Sequence, residues 1–135
     1  MFIRVDSSNG VPVYEQIVRQ VKFAIADGVV AAGDLLPSVR ELARELAINP
    51  NTVARAYRDL QSQEIVELAS GIGLSVRSGA KRECQTQRRR LLQMRIGNVL
   101  EEAFQSGLDA ASVRRLVDAE LARLDKQFVG NSSDE

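Results

Sequence analysis

The chain has 135 residues, the size of one ordinary domain or of two very small ones, and its 18 basic side chains balance its 18 acidic ones. With 44% apolar but only 4% aromatic residues, it has the composition of a globular, mainly helical protein. The absence of His excludes a His-ligated metal site and a Ser-His-Asp triad, and the single Cys84 excludes an internal disulfide. No apolar run approaches the roughly 20 residues of a membrane span, and the N-terminus is not a signal peptide. The sequence therefore predicts a soluble cytoplasmic protein that is not an enzyme and has no metal or cofactor.

The neutral net charge hides an uneven distribution along the chain. Residues 1–76 hold seven basic and nine acidic side chains, whereas residues 77–90 hold six basic side chains against Glu83 alone. The run has two interpretations that the sequence leaves open: a solvated linker that leads into a helix, or a patch that faces phosphates. The polar stretch from Arg77 to about Gln87 is the best candidate for a linker.

Apolar spacing predicts three helices in the first half of the chain. After Pro12, a helical face recurs at i, i+3, i+4, i+7 and i+11. Ser38 and Glu41 form a capping box at the start of a short second helix, and Asn49 with Pro50 begins a third. The predicted buried faces are Tyr14, Ile17, Val18, Val21 and Ile25, then Val39, Leu42, Ala43 and Leu46, then Val53, Ala56, Tyr57 and Leu60.

Two further kinds of element follow. The segments 65–69 and 74–76 flank Ser70-Gly71-Ile72-Gly73 and predict a small β-hairpin. Beyond the linker candidate, a fourth helix ends at Gly107, and Asp109 caps a fifth. The residues from Gly130 to Glu135 are small and polar, which predicts a flexible tail.

The second and third helices, joined tightly through Ala47 and Ile48, form a helix-turn-helix unit. On the third helix, Asn51, Arg55, Arg58 and Ser62 line up opposite the buried face. Because Asn pairs with adenine edges and Arg with guanine edges or phosphates, this face suits a major groove. The helix N-terminus predicts free N–H groups at Asn51 and Thr52 for a phosphate, and the outward Arg40 and Arg44 could reach the DNA backbone. The alternative is a set of solvated polar residues.

The stretch from Leu36 to Ala43 (LPSVRELA) and the stretch from Asn51 to Leu60 (NTVARAYRDL) resemble the GntR family of bacterial transcription regulators. The resemblance runs from about Val11 to Ser78 and implies a winged-helix fold. It also implies the site residues position by position. Arg40, Asn49, Asn51, Thr52 and Arg55 would contact DNA, and Gly71 and Gly73 would form the tip of the wing.

Four positions depart from the family pattern. The family often has Gly where this chain has Ala47 and Glu64. At the wing, Ser70 and Ser75 stand where the family commonly has a basic and an aromatic residue. We therefore expect a smaller contribution from the wing than from the helices.

Only about 58 residues follow Arg77, too few for the large effector domains or the fused aminotransferases of other GntR regulators. A short two-helix region resembles the YtrA-like subfamily, in which it serves dimerisation. Two helices with apolar faces cannot bury both faces between themselves, and a partner hairpin completes a bundle. The alternative is a monomer whose helices fold back onto the winged helix. The predicted interface consists of Leu92, Ile96, Val99, Ala103, Val117, Leu121 and Leu124.

The predicted organisation is mainly α with a small β-hairpin wing. A winged-helix DNA-binding domain covers 1–78, with its helix-turn-helix at about 38–63 and its wing at about 65–76. An antiparallel two-helix dimerisation domain covers 79–129, and the flexible tail covers 130–135.

The predicted function is a homodimeric, sequence-specific regulator, a repressor that binds double-stranded DNA at an inverted-repeat operator. The sequence leaves open a small-molecule effector, for which no residue marks a pocket. The alternative from another class is a protein-interaction adaptor built on a winged helix, and an RNA-binding variant is a weaker third.

Overall fold

The structure is a computed structural model that describes residues 3–132, with side chains described as far as residue 129. Two compact units meet between Arg90 and Leu91, later in the chain than the predicted boundary at residue 78. No helix within residues 3–132 is long and apolar enough to cross a membrane. The elements are α1 (Val13–Ala26), α2 (Val39–Leu46), α3 (Pro50–Ser62), β1 (Val66–Ala69), β2 (Gly73–Val76), α4 (Ala80–Gln105) and α5 (Ala110–Ser132).

The apolar faces predicted for the first three helices form the core of the first unit. Ile17 and Val21 of α1 and Val53 and Leu60 of α3 are fully buried, and α2 contributes Leu42. The remaining residues of the predicted faces are buried or half-buried. The predicted faces are therefore confirmed, because side chains spaced at 3.6 residues share one side of a helix.

Side chains fix where α2 and α3 begin. The Ser38 hydroxyl accepts a hydrogen bond from the Glu41 N–H at 3.1 Å, and the Asn49 side-chain oxygen accepts from the Asn51 N–H at 2.9 Å. Among residues 3–129, no bond returns from the Glu41 carboxylate to Ser38, so only half of the predicted capping box is formed. The Glu41 carboxylate therefore remains available for other contacts.

Left-handed residues end both helices of the helix-turn-helix. Ala47 has φ 54° and Glu64 has φ 59°, the two positive φ values among the described non-Gly residues. Both stand where the family often has Gly. A left-handed L-residue costs about 1–2 kcal/mol because its Cβ crowds the following carbonyl oxygen. The Gly that the resemblance to the GntR family implies at these two positions would therefore relieve backbone strain.

The hairpin is confirmed, and a third extended segment joins it. Strands β1 and β2 pair antiparallel, with Val66 opposite Val76. The Gly33 N–H donates to the Val76 carbonyl at 2.8 Å, and the Leu36 N–H donates to the Leu74 carbonyl at 2.9 Å. The segment 33–36 therefore lies along β2 and ties the wing to the start of α2.

The predicted linker between Arg77 and Gln87 is wrong, because α4 begins at Ala80 and runs through it. Ala80 and Cys84 are buried in the core of the first unit. Two bonds then hold the next turn of α4 against the end of α1. The Gln85 amide donates to the Ala26 carbonyl at 3.1 Å, and Arg88 pairs with Asp27 at 2.5 Å. Burial of one small side chain per turn makes this charged stretch part of the folded unit.

In the second unit, the turn at Gly107 (φ 93°) leads to α5, which Asp109 caps. Its carboxylate accepts from the Ser112 N–H at 2.8 Å, and this bond holds the pKa of Asp109 below its usual range. Helix α5 continues to Ser132, so the backbone at 130–132 is helical where the sequence predicts a tail. The rest of that predicted tail, 133–135, lies outside the described residues.

Candidate nucleic-acid interface

Helix α3 presents one polar face to solvent. Asn51, Arg55, Arg58 and Ser62 are exposed, whereas Val53, Ala56, Tyr57 and Leu60 on the other side are buried. The Tyr57 hydroxyl donates to the Pro37 carbonyl at 2.7 Å, which pins α3 to the segment that precedes α2. Burial and the nearby carboxylates Glu41 and Glu45 raise the pKa of Tyr57, so the phenol stays a neutral donor. The polar face therefore rests on a fixed scaffold.

Among the side chains that the structure describes, no acidic group pairs with the arginines of the helix-turn-helix. Within residues 3–129, no ion pair engages Arg40, Arg44, Arg55 or Arg58, and all four are exposed. Arg40 and Arg44 lie one turn apart on α2. Four unpaired guanidinium groups on two adjacent helices are suited to an anionic partner, because Arg binds phosphates and guanine edges with two parallel N–H groups.

The N-terminus of α3 differs from the expectation. The predicted free N–H groups are both in use, since Asn51 N–H donates to the Asn49 side chain and Thr52 N–H donates to the Asn49 carbonyl at 3.0 Å. The prediction failed because an N-cap residue takes up the donors that would otherwise be open. Asn49 thus acts as the cap of the helix, and its amide nitrogen remains as its donor toward a ligand. The Thr52 side chain is half-buried.

Arg55 stacks on an aromatic ring that the sequence analysis did not connect with it. Its guanidinium carbon lies 3.8 Å from the centroid of the Tyr14 ring, at the start of α1. The Tyr14 hydroxyl donates to the neighbouring Glu15 carboxylate at 3.3 Å. A planar guanidinium on a ring keeps its N–H donors in its own plane and free at the edge. No periodicity links residues 14 and 55, so only the packing of α1 on α3 could show this contact.

The wing turn carries no cation. Gly71 and Gly73 have φ values of 73° and 131°, a geometry that favours glycine, and Ile72 between them is exposed. With Ser70 before them, the tip offers backbone and hydroxyl groups to a partner. The smaller contribution expected of the wing stays a prediction.

The basic run of residues 77–90 divides into paired and unpaired side chains. Arg77 contacts Glu64 and Glu67 at 3.6 and 3.5 Å, and Arg88 pairs with Asp27 and lies over the Phe23 ring. The others have no ion pair within residues 3–129 and are exposed: Lys81, Arg82, Arg89 and Arg90. Two of the six cations therefore serve the fold.

Most large apolar side chains of the second unit are exposed to solvent. Of the predicted interface, Ala103 is half-buried, and the other six residues are between 36% and 64% exposed. Those six are Leu92, Ile96, Val99, Val117, Leu121 and Leu124. Phe104, Leu116 and Phe128 are also exposed. Side chains spaced three or four residues apart share one side of a helix, and an exposed apolar side of this kind is typical of an interaction surface.

The comparisons with known proteins agree with this geometry. The family described as "Bacterial regulatory proteins, gntR family" matches residues 13–76. The HTH-type transcriptional repressor YtrA of Bacillus subtilis is 34% identical over 107 residues, which cover 79% of this chain and 82% of that protein. This chain belongs to the GntR family. It is a transcriptional regulator of the YtrA-like type.

Two solved structures extend the likeness beyond the winged helix. A transcriptional regulator from Oenococcus oeni matches with a TM-score of 0.77 and 32% identity, over 89% of this chain and 99% of the other. YtrA from Sulfolobus acidocaldarius, a GntR-family transcription factor, matches with a TM-score of 0.59 and 32% identity, over 75% of this chain and 99% of the other. The match to the first of these includes residues of the second unit, since 89% of the chain exceeds the first unit's share.

Proposed function

We propose that this GntR regulator is a homodimer that binds an inverted-repeat operator and represses transcription. The observation that carries the proposal is the exposed face of α3, whose arginines have no acidic partner in the described part of the chain. A helix about 10–12 Å across fits the major groove, where base edges are distinguishable.

The exposed polar residues of α2 and α3 fall into two groups according to what their side chains can bind. The Asn51 amide can donate to and accept from an adenine edge, and the edge of the Arg55 guanidinium can donate two bonds to a guanine. Arg58, Arg40 and Arg44 reach phosphates, which set the register and carry no sequence information. Specificity is thus assigned to two side chains and general affinity to three.

Dimerisation supplies affinity that one winged helix lacks. Residues 1–76 are slightly acidic, and phosphate neutralisation provides most of the non-specific binding to DNA. Two copies held together bind the second half-site at a high effective concentration. The exposed apolar side chains of α4 and α5, such as Ile96 and Leu121, offer the surface through which two copies associate. Such a two-fold dimer matches an inverted repeat.

Repression would result from binding of the dimer to its operator, because a dimer bound at a promoter excludes RNA polymerase from the same stretch of DNA. The Bacillus subtilis relative is itself described as a repressor. No observation specifically favours the alternative function, a protein-interaction adaptor that does not bind DNA. The first experiment distinguishes it from a DNA-binding regulator.

The first experiment selects duplexes from a randomised pool with the full chain and then measures affinities at constant salt. We expect an inverted repeat to be enriched. On the selected duplex, Asn51→Ala and Arg55→Ala should each lose about 1–3 kcal/mol of binding free energy and relax discrimination at one base pair of each half-site.

Arg115→Ala is the matched control, since Arg115 is an exposed arginine on the side of α5 away from Leu121 and outside the proposed DNA interface. It should bind like the parent. If the selection enriches no sequence, the chain is better described as an adaptor. If both α3 variants bind like the parent, the assignment of the groove face is wrong.

The second experiment measures mass by sedimentation equilibrium. Ile96→Glu and Leu121→Glu would each place an unpaired carboxylate in the apolar interface, which costs several kcal/mol, and both variants should sediment as monomers. Ala119→Glu adds the same group at an exposed position about 160° around α5 from Leu121 and should remain dimeric. A monomeric parent that still protects both half-sites would disprove the role of the dimer.

A further inference from the structure

A groove of about 880 Å³ lies in the first unit between the wing and α2, apart from the exposed face of α3. Its walls come from the loop after α1, the segment 34–37, the first turns of α2 and the tip of the hairpin. Its volume lies within the range of about 300–1,000 Å³ that is usual for small-molecule sites.

Large apolar side chains form the mouth of this groove and stand in solvent. Val29 is 68% exposed, Leu35 48% and Ile72 69%. Leu36 and Val30 at the floor are buried, so the apolar surface continues from the mouth into the core. An exposed apolar cluster around a concave surface marks a place where an apolar body can be buried.

Every charged residue that lines the groove is acidic. Glu41 and Glu45 lie one turn apart on α2, and Asp34 lies across from them on the segment beside the hairpin. Within residues 3–129, no cation pairs with any of the three, and the Asp34 carboxylate accepts only the Ala31 N–H. Like charges one turn apart on a helix repel each other, so a cation placed between them would be favoured.

We propose that this groove is a binding site for a hydrophobic organic cation. The apolar body would lie against Val29, Leu35 and Ile72, and the positive charge would lie toward Glu41 and Glu45. Because the lining includes both α2 and the hairpin tip, a bound cation contacts the helix-turn-helix and the wing together. Such a site is independent of the proposed reading of DNA by α3.

The test uses two probes of the same shape and opposite charge, tetraphenylphosphonium and tetraphenylborate, with the full chain labelled with ¹⁵N. We expect tetraphenylphosphonium to cause saturable shifts in the amide signals of residues 29–36 and 72–74. Tetraphenylborate at equal concentration should leave those signals in place, because the carboxylates repel it.

Charge removal gives the second readout. The double variant Glu41→Gln/Glu45→Gln should bind tetraphenylphosphonium about tenfold more weakly, since each exposed carboxylate contributes a modest attraction. Glu101→Gln/Glu102→Gln removes two exposed carboxylates of α4 outside the groove and should leave the affinity unchanged.

Three results with the probes would overturn the proposal. These are equal shifts with both probes, unchanged affinity in the groove double variant, and no shift at millimolar tetraphenylphosphonium. Shifts of the same amides on dilution of the protein alone would assign the groove to a second copy of the chain and would equally contradict the cation.

Discussion

Arg55 and Tyr14 form a stacked pair in which the guanidinium carbon lies 3.8 Å from the ring centroid. The pair joins the face of α3 to the first turn of α1. Arg55 is exposed and Tyr14 is half-buried, so the ring serves as a platform for a side chain that otherwise has several accessible rotamers. Through this contact, the packing of α1 helps to hold the Arg55 side chain, which is proposed to bind a base.

The stack predicts that Tyr14 positions Arg55. Tyr14→Leu keeps the apolar volume but removes the ring face, and an exposed cation–π contact is worth about 0.5–1 kcal/mol. We expect a two- to fivefold loss of affinity for the selected duplex, to be measured by fluorescence anisotropy. Tyr14→Phe should bind like the parent. In an Arg55→Ala background, Tyr14→Leu should have no further effect, and an equal loss there would contradict the coupling.

Arg40 and Arg44 are predicted to contact phosphates. Arg40→Ala and Arg44→Ala should weaken binding to all duplexes alike and lower the slope of log K against log salt by about one unit each, because each phosphate contact releases condensed counterions. A salt titration on the selected duplex and on a scrambled one measures this, with Arg115→Ala as the control. Unchanged slopes would remove both residues from the interface.

The two left-handed residues predict stabilising substitutions. Ala47→Gly and Glu64→Gly should each raise the free energy of unfolding by about 0.5–1 kcal/mol, since relief of the strain exceeds the added entropy of the unfolded chain. Loss of the exposed pair between Glu64 and Arg77 subtracts little. Urea denaturation at fixed protein concentration is the measurement.

Gln63→Gly tests the sign of that effect. Gln63 lies next to Glu64 but has φ −84°, so glycine relieves nothing there and should destabilise the protein. If glycine at position 47 or 64 lowers the free energy of unfolding as much as glycine at position 63 does, backbone strain at Ala47 and Glu64 is not the explanation.

The reactivity of Cys84 tests whether the charged segment 77–87 is folded. Burial raises the pKa of its thiol, so we expect its reaction with Ellman's reagent at pH 8 to be about a hundredfold slower in the native protein than in guanidinium. The control is Glu83→Cys with Cys84→Ala, which moves the thiol to an exposed position of the same turn. Rapid labelling of native Cys84 would restore the linker interpretation of residues 77–87.

The sequence by itself determined the elements whose signals are local. The apolar spacing of α1, α2 and α3 extends over roughly two to four turns of each helix, and the caps at Ser38, Asn49 and Asp109 act within three residues. The exposed face of α3 follows from the same spacing, because the side opposite a buried stripe faces solvent. The family resemblance rests on these same short segments.

The tertiary structure alone decided what depends on residues far apart in the chain. Helix α4 begins at Ala80 rather than after a linker because Ala80 and Cys84 reach a core supplied by residues many positions earlier. Likewise, the pairing of 33–36 with β2, the Tyr14–Arg55 stack and the acidic groove bring together segments that no periodicity links. Spacing along a chain fixes which side of an element is apolar, but only packing fixes which element that side meets.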